Sequence, residues 1–287
     1  MRGASSALAS VVALLGLLAL AGCAGEEPEP APELTNGIGM ELVLVRPGRM
    51  TVGRFAPECP DSSAAARDDV HPRARWTAED HARCREMAAR DARPGFEVAI
   101  ERAYYIGRHE VTQEQWTRVM GDNPSVFPGA RAAGDASRHP VENVTWEDAQ
   151  RFVARLNELE RGPRYRLPTE LEWEYAARAG RDDEPRWSEI RESGWISDVD
   201  KGTTHPVGGK APNAWGLHDT LGNVWEWVED FYNEEMFPDS VPPRSGATHV
   251  LRGGSFTSDV KNATWFTHAG GPGNGFDVGF RVVREVR

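Results

Sequence analysis

The stretch HPVGGKAPNAWGLHDTLGNVWEWVEDFY, residues 205–232, is rich in glycine, asparagine and tryptophan and has no sustained helical or strand period. Comparable segments separate the short periodic runs elsewhere in the chain, so we expect much irregular backbone. The chain contains 10 tryptophans, whose large rings can fill the spaces that an irregular backbone leaves. No regular alternation of strands and helices is visible, which predicts a single α+β domain rather than a doubly wound sheet.

Three helices are predicted from their N-terminal caps. Thr112 with Gln115 and Thr169 with Glu172 form capping boxes, and a further helix begins at Thr145. The expected apolar face of that helix is Ala149, Phe152, Val153, Leu156 and Leu159. Short strands are predicted within residues 41–53, 94–111, 249–256 and 279–286, which are β-branched and bounded by glycine or proline.

The N-terminus predicts export and lipidation. Arg2 precedes an apolar run that ends LAGC at Cys23, which resembles the lipobox of bacterial lipoproteins. We expect residues 1–22 to be a lipoprotein signal peptide, Cys23 to be lipidated, and residues 23–36 to form a proline- and glutamate-rich tether. The protein would then be lipid-anchored in the bacterial cell envelope, on the periplasmic or surface side, with the outer membrane as the expected location. A plain secretory signal is the alternative.

The folded domain is predicted over residues 37–287, with an insertion at about 57–92 that carries a short helix. Cys59 and Cys84 lie in this insertion. In an oxidising envelope compartment two such cysteines predict a disulfide. A metal pair completed by the histidines of the insertion is the alternative.

The chain is acidic, with 33 Lys and Arg against 44 Asp and Glu and a net charge of −11. Such a chain is not expected to bind nucleic acid or to adhere electrostatically to an anionic membrane. Membrane attachment would come from the N-terminal lipid. Because a single acyl chain binds membranes weakly, more than one chain is expected.

Six runs, in this order, resemble the formylglycine-generating enzyme or sulfatase-modifying factor family. They are YIGRHEVTQEQW, HPVENVTWEDAQRFVARLN, YRLPTELEWEYAARAG, the stretch 205–232, LRGGSF and the terminal GFRVVR. The resemblance implies one irregular domain, related to C-type-lectin-like folds, with little regular secondary structure. Its members include copper-dependent generators, iron-dependent enzymes that form C–S bonds, siderophore-maturation enzymes and domains without demonstrated chemistry. The fold is therefore implied better than the function.

The resemblance places a pair of copper-binding cysteines after the GGS motif, the first three residues beyond Ser255 and the second five residues later. Those positions are occupied here by Ser258 and Ala263. A hydroxyl and a methyl group cannot replace two thiolates, which are the ligands that soft Cu(I) prefers. We therefore predict that the protein does not generate formylglycine by the copper route. Iron chemistry remains the alternative, because histidines distant in sequence can meet in a fold.

The resemblance also implies a structural calcium site in GLHDTLGNVWEW. The expected ligands are side-chain oxygens of Asp219 and Glu226 and carbonyl oxygens of Gly222 and Val224. Two carboxylates with neutral carbonyl oxygens suit Ca²⁺ rather than a redox metal. Capping of local turns by the two carboxylates is the alternative. A second family calcium site would fall on Asp198 and Asp200.

The enzymes of this family bind an extended peptide beside the cysteine pair, which implies a groove here. The expected lining residues are Ser255, Trp225, Asp259, Trp265 and His268. An aromatic ring with hydroxyls and a carboxylate can bind a peptide or sugar without catalysis. Loop residues that face solvent are the alternative. The sequence thus predicts an envelope lipoprotein that is a non-catalytic binding or scaffold module for a protein, peptide or glycan, with a non-haem iron oxidoreductase as the alternative function.

Overall fold

The strands and helices of the computed structural model are short and joined by long irregular connections, as predicted. The structure describes residues 31–55, 77–91, 93–127, 135–162, 164–199, 202–233, 243, 245–271 and 273–286. The strands are β1 (Glu33–Thr35), β2 (Glu41–Val45), β3 (Gly48–Phe55), β4 (Arg93–Ile100), β5 (Tyr104–Gly107), β6 (Tyr165–Arg166), β7 (Trp225–Phe231), β8 (His249–Arg252), β9 (His268–Gly270), β10 (Val278–Phe280) and β11 (Val283–Glu285). The helices are α1 (Ala78–Asp91), α2 (Gln113–Met120), α3 (Trp146–Glu160), α4 (Glu170–Arg178) and α5 (Trp187–Ser193).

The strands of the described residues form two sheets and a hairpin. The larger sheet is antiparallel and has the order β1-β2-β5-β11-β6, so the last strand of the chain lies between β5 and β6. The second sheet has the order β10-β7-β8-β9, in which β10 is parallel to β7. β3 and β4 form the hairpin, and α1 lies within its connection. The second sheet positions the candidate site, because β7 begins beside it and β8 ends beside it.

The predicted helix caps are confirmed. The Thr112 side chain accepts from the Gln115 N–H while the Gln115 side chain accepts from the Thr112 N–H. Thr169 and Glu172 make the same reciprocal pair, and Thr145 caps α3. Each box satisfies backbone N–H groups that a helix N-terminus otherwise leaves unpaired.

The expected apolar face of α3 is wrong at one position. Leu156 is fully buried, whereas Leu159 is 57% exposed. Asn157 bonds both backbone groups of Tyr165, with its Oδ1 2.7 Å from Tyr165 N and its Nδ2 2.9 Å from Tyr165 O. The chain that returns into β6 therefore covers the side of the last turn that carries Asn157, whereas Leu159, two residues further and about 200° around the helix, faces away from it.

Folded structure begins earlier than expected. β1 pairs with β2 in the register Glu33–Val43, inside the segment that the sequence analysis assigned to the tether. Leu34 packs against the main core cluster, so this strand gains both backbone hydrogen bonds and apolar contact. The tether therefore ends before Glu33 rather than at residue 36.

The signal peptide 1–22, Cys23, Cys59, the side chain of Cys84 and Asp200 lie outside the described residues. Lipidation, the disulfide and the contribution of Asp200 to a calcium site accordingly stay predictions. Among the helices that the structure describes, none combines the length and hydropathy that crossing a membrane requires.

Tryptophans occupy much of the core, as expected from the irregular backbone. Trp116, Trp173 and Trp227 are each no more than 3% exposed. The Trp227 indole N–H donates to the Val144 carbonyl at 2.9 Å, and the Trp173 indole N–H donates to a carboxylate at 2.7 Å. Each of these two large rings is thus buried without leaving its polar atom unpaired.

Candidate functional site

The candidate site is the loop from Ser255 to Ala263, which follows β8. Gly253 and Gly254 have φ of 88° and 75°, a left-handed pair that only glycine adopts at low cost. A Cβ on Gly253 would lie 3.1 Å from the Trp173 ring, so the turn packs directly on α4. The sequence after this turn folds into a single 3₁₀ turn, Val260–Asn262.

Ser255 is fully buried, and its hydroxyl is held by two neighbours. Its Oγ donates to Asp277 Oδ2 at 2.7 Å and lies 2.8 Å from Thr257 Oγ1. The Trp225 backbone N–H donates to the Asp277 carbonyl at 2.8 Å, which brings Trp225 to the same place. We refer to Trp225, Ser255, Thr257, Phe276 and Asp277 as the Ser255 patch.

Sequence reasoning found two members of this patch and missed Thr257, Phe276 and Asp277. Their place in the sequence could have indicated two of the missed residues, because Phe276 and Asp277 directly precede the strand that carries the terminal GF motif. Thr257 is exposed between two buried neighbours in the loop. Because the loop and β10 are brought together only by the parallel pairing of β10 with β7, their proximity could not be derived from spacing along the chain.

The two positions expected for cysteine are both buried and both engaged. Ser258 Oγ accepts from the Ser255 N–H at 3.0 Å, and the Ser258 carbonyl accepts from the Ser197 N–H at 3.0 Å. Ala263 is 0% exposed and packs in a cluster with Val260 and other apolar side chains. A hydrogen-bonded hydroxyl and a packed methyl group supply no sulfur, so these residues do not fit a copper ion.

The structure does not bring the five predicted groove residues to one accessible surface, since Ser255 is itself 0% exposed. Trp265 is 4% exposed and belongs to a core cluster. The His268 side chain is 7% exposed, and its Nδ1 lies 2.9 Å from Glu170 Oε1. Asp259 is exposed, but its carboxylate accepts from the N–H groups of the following 3₁₀ turn as an N-cap. A large indole and an ion-pairing ring are more stable against α4 than at the surface, so only Trp225 and Ser255 remain together.

A buried set of charges joins α4 to the end of β8. Arg252 is 0% exposed and donates to Glu174 Oε2 at 2.6 Å and to Glu170 Oε1 at 3.3 Å. Arg178, also buried, pairs with the other oxygen of Glu174. Two of the three glutamates of ELEWEYAAR, Glu170 and Glu174, are therefore partners of the arginine of RGGS, which gives both motifs a structural role.

A second buried set joins β7 to the terminal GFR run. Arg281 Nε and Nη2 each donate to a Glu226 oxygen at 2.5 Å, and both side chains are 0% exposed. The Trp173 indole also donates to Glu226, at 2.7 Å. Glu110 and Asp219 are buried beside this pair. Burial, with the neighbouring carboxylates, raises the pKa of Glu110 well above its usual range.

Of the two carboxylates expected to bind calcium, Asp219 has surroundings that fit a cation and Glu226 does not. Asp219 Oδ2 accepts from the Gly208 N–H at 2.7 Å, while Oδ1 is buried without a hydrogen-bond partner, as an oxygen intended for a cation would be. Glu226 has both oxygens bonded to Arg281, whose positive charge already neutralises it. The four-ligand set is therefore not formed as predicted. Calcium binding stays a prediction that rests on Asp219, and we derive no step through the ion.

Asp198, from the second predicted calcium site, and the histidines His139 and His205 make contacts that stabilise the fold. Asp198 Oδ2 accepts from the Val260 N–H at 2.8 Å and so helps to hold the candidate loop. His139 is fully buried with its Nδ1 2.8 Å from Thr204 Oγ1, and His205 stacks on Trp195 with the ring centroids 3.9 Å apart. Within the described residues, no three His, Cys, Asp or Glu side chains meet as metal ligands.

Asp219 predicts a specific dependence of stability on pH. Burial raises its pKa from 3.8 to about 6. Between these values the folded state holds a proton that the unfolded chain has released, so the free energy of unfolding falls as pH rises from about 4 to about 6. The loss from this group alone is about 3 kcal/mol, and it is complete only about one unit above the folded-state pKa. We expect Asp219→Asn to flatten this part of the profile.

The measurement is urea unfolding of the wild type and the variant from pH 4.5 to 7.5. Exposed Glu158→Gln serves as the control, and its profile should parallel that of the wild type. Other buried acids also titrate, so the quantity that matters is the difference between Asp219→Asn and the wild type. Equal pH slopes for these two proteins would show that Asp219 is not the group responsible.

Comparison with known proteins establishes the family. Residues 28–286 match the model of the sulfatase-modifying factor enzyme 1-like domain. The chain belongs to this family. The resemblance seen in the sequence runs is thereby confirmed, and so is the α+β fold with few helices and open sheets.

The relatives of this sulfatase-modifying factor domain have different names. Chaperone protein LppX of Paenibacillus barcinonensis is 30% identical over 240 residues, which cover 63% of this chain and 80% of that protein. The formylglycine-generating enzyme of Streptomyces coelicolor is 34% identical over 163 residues, covering 49% of this chain and 50% of the enzyme. The match therefore spans only half of the enzyme's own length.

Solved structures of the same fold extend over nearly all of the chain. Treponema denticola variable protein 1 has a TM-score of 0.69 and 25% identity, covering 90% of this chain and 100% of that one. PvdO from Pseudomonas aeruginosa has a TM-score of 0.65 and 22% identity, covering 90% and 99% respectively, and shows the fold alone. The irregular segments thus belong to an architecture shared by proteins with different names.

Proposed function

We propose that the protein is an envelope lipoprotein whose sulfatase-modifying factor domain binds a protein, peptide or glycan partner without catalysing a reaction. The observation that carries the proposal is the state of the two cysteine positions. Ser258 is bonded within its own turn and Ala263 is packed in the core, so neither offers a reactive or metal-binding atom. The name of the relative LppX, a chaperone protein, supports a role in holding another protein.

The accessible part of the Ser255 patch is the surface that we assign to the partner: Phe276 and Thr257 are exposed there, while Ser255 lies buried beneath them. Phe276 is 50% exposed and is one of two large apolar side chains exposed among the described residues. It directly precedes the half-buried Asp277, which accepts hydrogen bonds from the exposed Thr257 and from the backbone of the half-buried Trp225. Aromatic surface beside hydroxyl and carboxylate groups supplies both apolar contact and hydrogen bonds to a polypeptide or glycan.

A matched pair of variants tests this surface. Phe276→Ser is expected to reduce capture of the partner by about tenfold or more, because exposed aromatic side chains commonly carry much of the binding energy. Leu159→Ser removes the other exposed large apolar side chain, on α3, and should leave capture unchanged. Both variants are tagged, expressed with the native N-terminus, cross-linked in intact cells and recovered from solubilised envelope. Equal recovery of the same partner by both variants would refute the assignment.

Metal analysis of the purified protein tests the absence of redox catalysis. The proposal predicts neither iron nor copper at stoichiometric level. Bound iron, together with an O₂-dependent activity that is lost on His→Ala substitution, would instead establish the oxidoreductase alternative.

Restoring the cysteines is expected to destabilise the protein rather than to recreate a copper site. Ala263 has no space for an added sulfur because it is 0% exposed in a packed cluster, so Ala263→Cys should cost about 1–3 kcal/mol of unfolding free energy. Ser258→Cys with Ala263→Cys should bind Cu(I) no more tightly than Ser258→Cys alone, since a thiolate at position 263 would have to ionise within an apolar cluster. Urea unfolding and competition with a Cu(I) chelator measure the two effects. Tight copper binding by the double variant alone would show that the site is intact apart from its thiols.

A further inference from the structure

We infer that Asn274 is a site of spontaneous deamidation, and that its conversion to a carboxylate loosens the loop that carries Phe276. Asn274 stands between two glycines, two residues before Phe276. The sequence has one other asparagine that is followed by glycine, Asn36. The reaction and the change in the loop need no partner, whereas their effect on partner binding rests on the function proposed above.

The reaction needs only the chain itself and water. The backbone nitrogen of Gly275 attacks the side-chain amide carbon of Asn274 and loses its proton, while the bond from that carbon to Nδ2 breaks and ammonia leaves. Water then opens the cyclic imide at either carbonyl, which gives aspartate or isoaspartate, and no group is oxidised or reduced. Glycine favours the attack because no Cβ crowds its nitrogen and its backbone is the most permissive of all residues.

The surroundings of Asn274 leave both reacting groups accessible. The residue is exposed, and its Nδ2 donates to Asn143 Oδ1 at 2.8 Å on the surface. Within the part of the chain that the structure describes, the Gly275 N–H donates to no acceptor. The amide carbon can therefore meet the attacking nitrogen at the cost of one solvent-exposed hydrogen bond.

Asn36 and the glycine after it are held at both reacting groups. Asn36 Oδ1 accepts from the N–H groups of Ile38 and Met40 at 3.1 and 2.8 Å. Its Nδ2 donates to the Tyr165 hydroxyl at 3.3 Å, and the N–H of the following glycine donates to Glu160 Oε1 at 2.9 Å. Attack here would have to break several of these bonds, so the same dipeptide provides an internal control in one chain.

Conversion turns the contact between Asn274 and Asn143 from attraction into repulsion. Asn143 Nδ2 donates to the Pro124 carbonyl at 2.9 Å, so the Asn143 amide cannot reverse without losing that bond. Its oxygen therefore stays directed at residue 274. A carboxylate there accepts hydrogen bonds and donates none, which places one acceptor against another. Isoaspartate also lengthens the backbone by one carbon.

The next residue anchors the loop, so the disturbance reaches Phe276. The Gly275 carbonyl accepts from the N–H groups of Asn143 at 2.9 Å and Val278 at 3.0 Å. A Cβ on Gly275 would lie 2.9 Å from Val278 Cγ2 and 3.2 Å from Asp277 Oδ1, so close packing favours glycine here. The fold thus keeps the reactive dipeptide, and a repelled or lengthened neighbour strains the two bonds that position Phe276.

The test is storage of the full-length, detergent-purified protein at pH 7.4 and 37 °C, followed by mass spectrometry of the peptides that contain Asn274 and Asn36. Asn274 should convert about tenfold faster or more, because hydrogen bonds must break at Asn36 first. In strong denaturant the two rates should become comparable. Asn274→Gln should abolish conversion at this position. Asn262→Gln makes the same change at an exposed asparagine that precedes alanine and should leave it unchanged.

Asn274→Asp reproduces the aspartate product and tests the change in the loop. Hydrogen exchange of the Asn143 and Val278 amides should become about threefold faster or more, and partner capture should fall as it does in Phe276→Ser. Faster exchange with unchanged capture would support the inference and count against the Ser255 patch as the partner surface, so the two failures are distinguishable.

Three results would overturn the inference. The first is equal conversion of Asn274 and Asn36 in the folded protein. The second is an unconverted Asn274 in folded protein stored for as long as the denatured protein needs to react. The third is hydrogen exchange in Asn274→Asp that matches the wild type.

Discussion

Arg281→Met is expected to lower the free energy of unfolding by about 3–5 kcal/mol, the cost typical of removing one partner from a buried ion pair. The side chain is 0% exposed and makes two hydrogen bonds to Glu226 at 2.5 Å. It also donates to the carbonyls of Gly107 and His218 at 3.1 Å. Without it, Glu226 stays buried beside Glu110 and has no opposite charge.

The effect should depend on pH in a defined direction. Loss of the guanidinium raises the pKa of the buried Glu110 and Asp219 carboxyls further, because a favourable charge is removed while burial remains. Protonation of these two groups then lowers the negative charge around Glu226, so Arg281→Met should regain stability as pH falls from 7.5 to 5. Urea unfolding at the two pH values measures this recovery.

A double-mutant cycle separates the ion pair from packing. Glu226→Gln in the Arg281→Met background removes the stranded charge and should restore about 2 kcal/mol or more. Arg151→Met is the control, because Arg151 is 62% exposed in an ion pair with Asp148 and should change stability by less than about 0.5 kcal/mol. Additive effects of the two buried substitutions would mean that Glu226 and Arg281 do not stabilise one another.

The parts of the fold that the sequence predicted are those decided by near neighbours. The boxes at Thr112 and Thr169 depend on residues three positions apart, and their geometry is confirmed. Strands are present in all four segments predicted to contain them. Local spacing suffices here because the interacting groups are fixed by a single turn of backbone.

The parts that failed are those decided by distant partners. The family resemblance implies that Glu226 is a calcium ligand, but its partner Arg281 lies 55 residues away. His268 was placed in a groove, and its partner Glu170 lies 98 residues earlier. A short motif shows that a charged residue is present without showing which charge it meets. In this chain, several motif acids and arginines are each other's partners.

Arg252→Met is the second substitution expected to have a large effect, again about 3–5 kcal/mol. Arg252 is 0% exposed and holds Glu170, Glu174 and two backbone carbonyls, those of Trp265 at 2.5 Å and Phe266 at 3.1 Å. Its loss leaves Glu174 with Arg178 alone and Glu170 with His268 alone, and it strands two carbonyl oxygens in the core. Arg281→Met differs in that it strands no carbonyl of the candidate loop or of the segment that follows it.

The two variants should therefore differ in the local structure around the candidate loop as well as in global stability. Because Trp265 and Phe266 directly follow the candidate loop, Arg252→Met should alter near-ultraviolet circular dichroism from buried tryptophan and should speed proteolytic cleavage between Ser255 and Ala263. Arg281→Met, compared at equal global stability by adjusting urea, should leave that segment protected. Arg252→Lys is expected to recover less than about half of the lost stability, since one ammonium cannot reach acceptors that a planar guanidinium spans. Full recovery by lysine would mean that charge alone, rather than the fork of donors, holds the turn against α4.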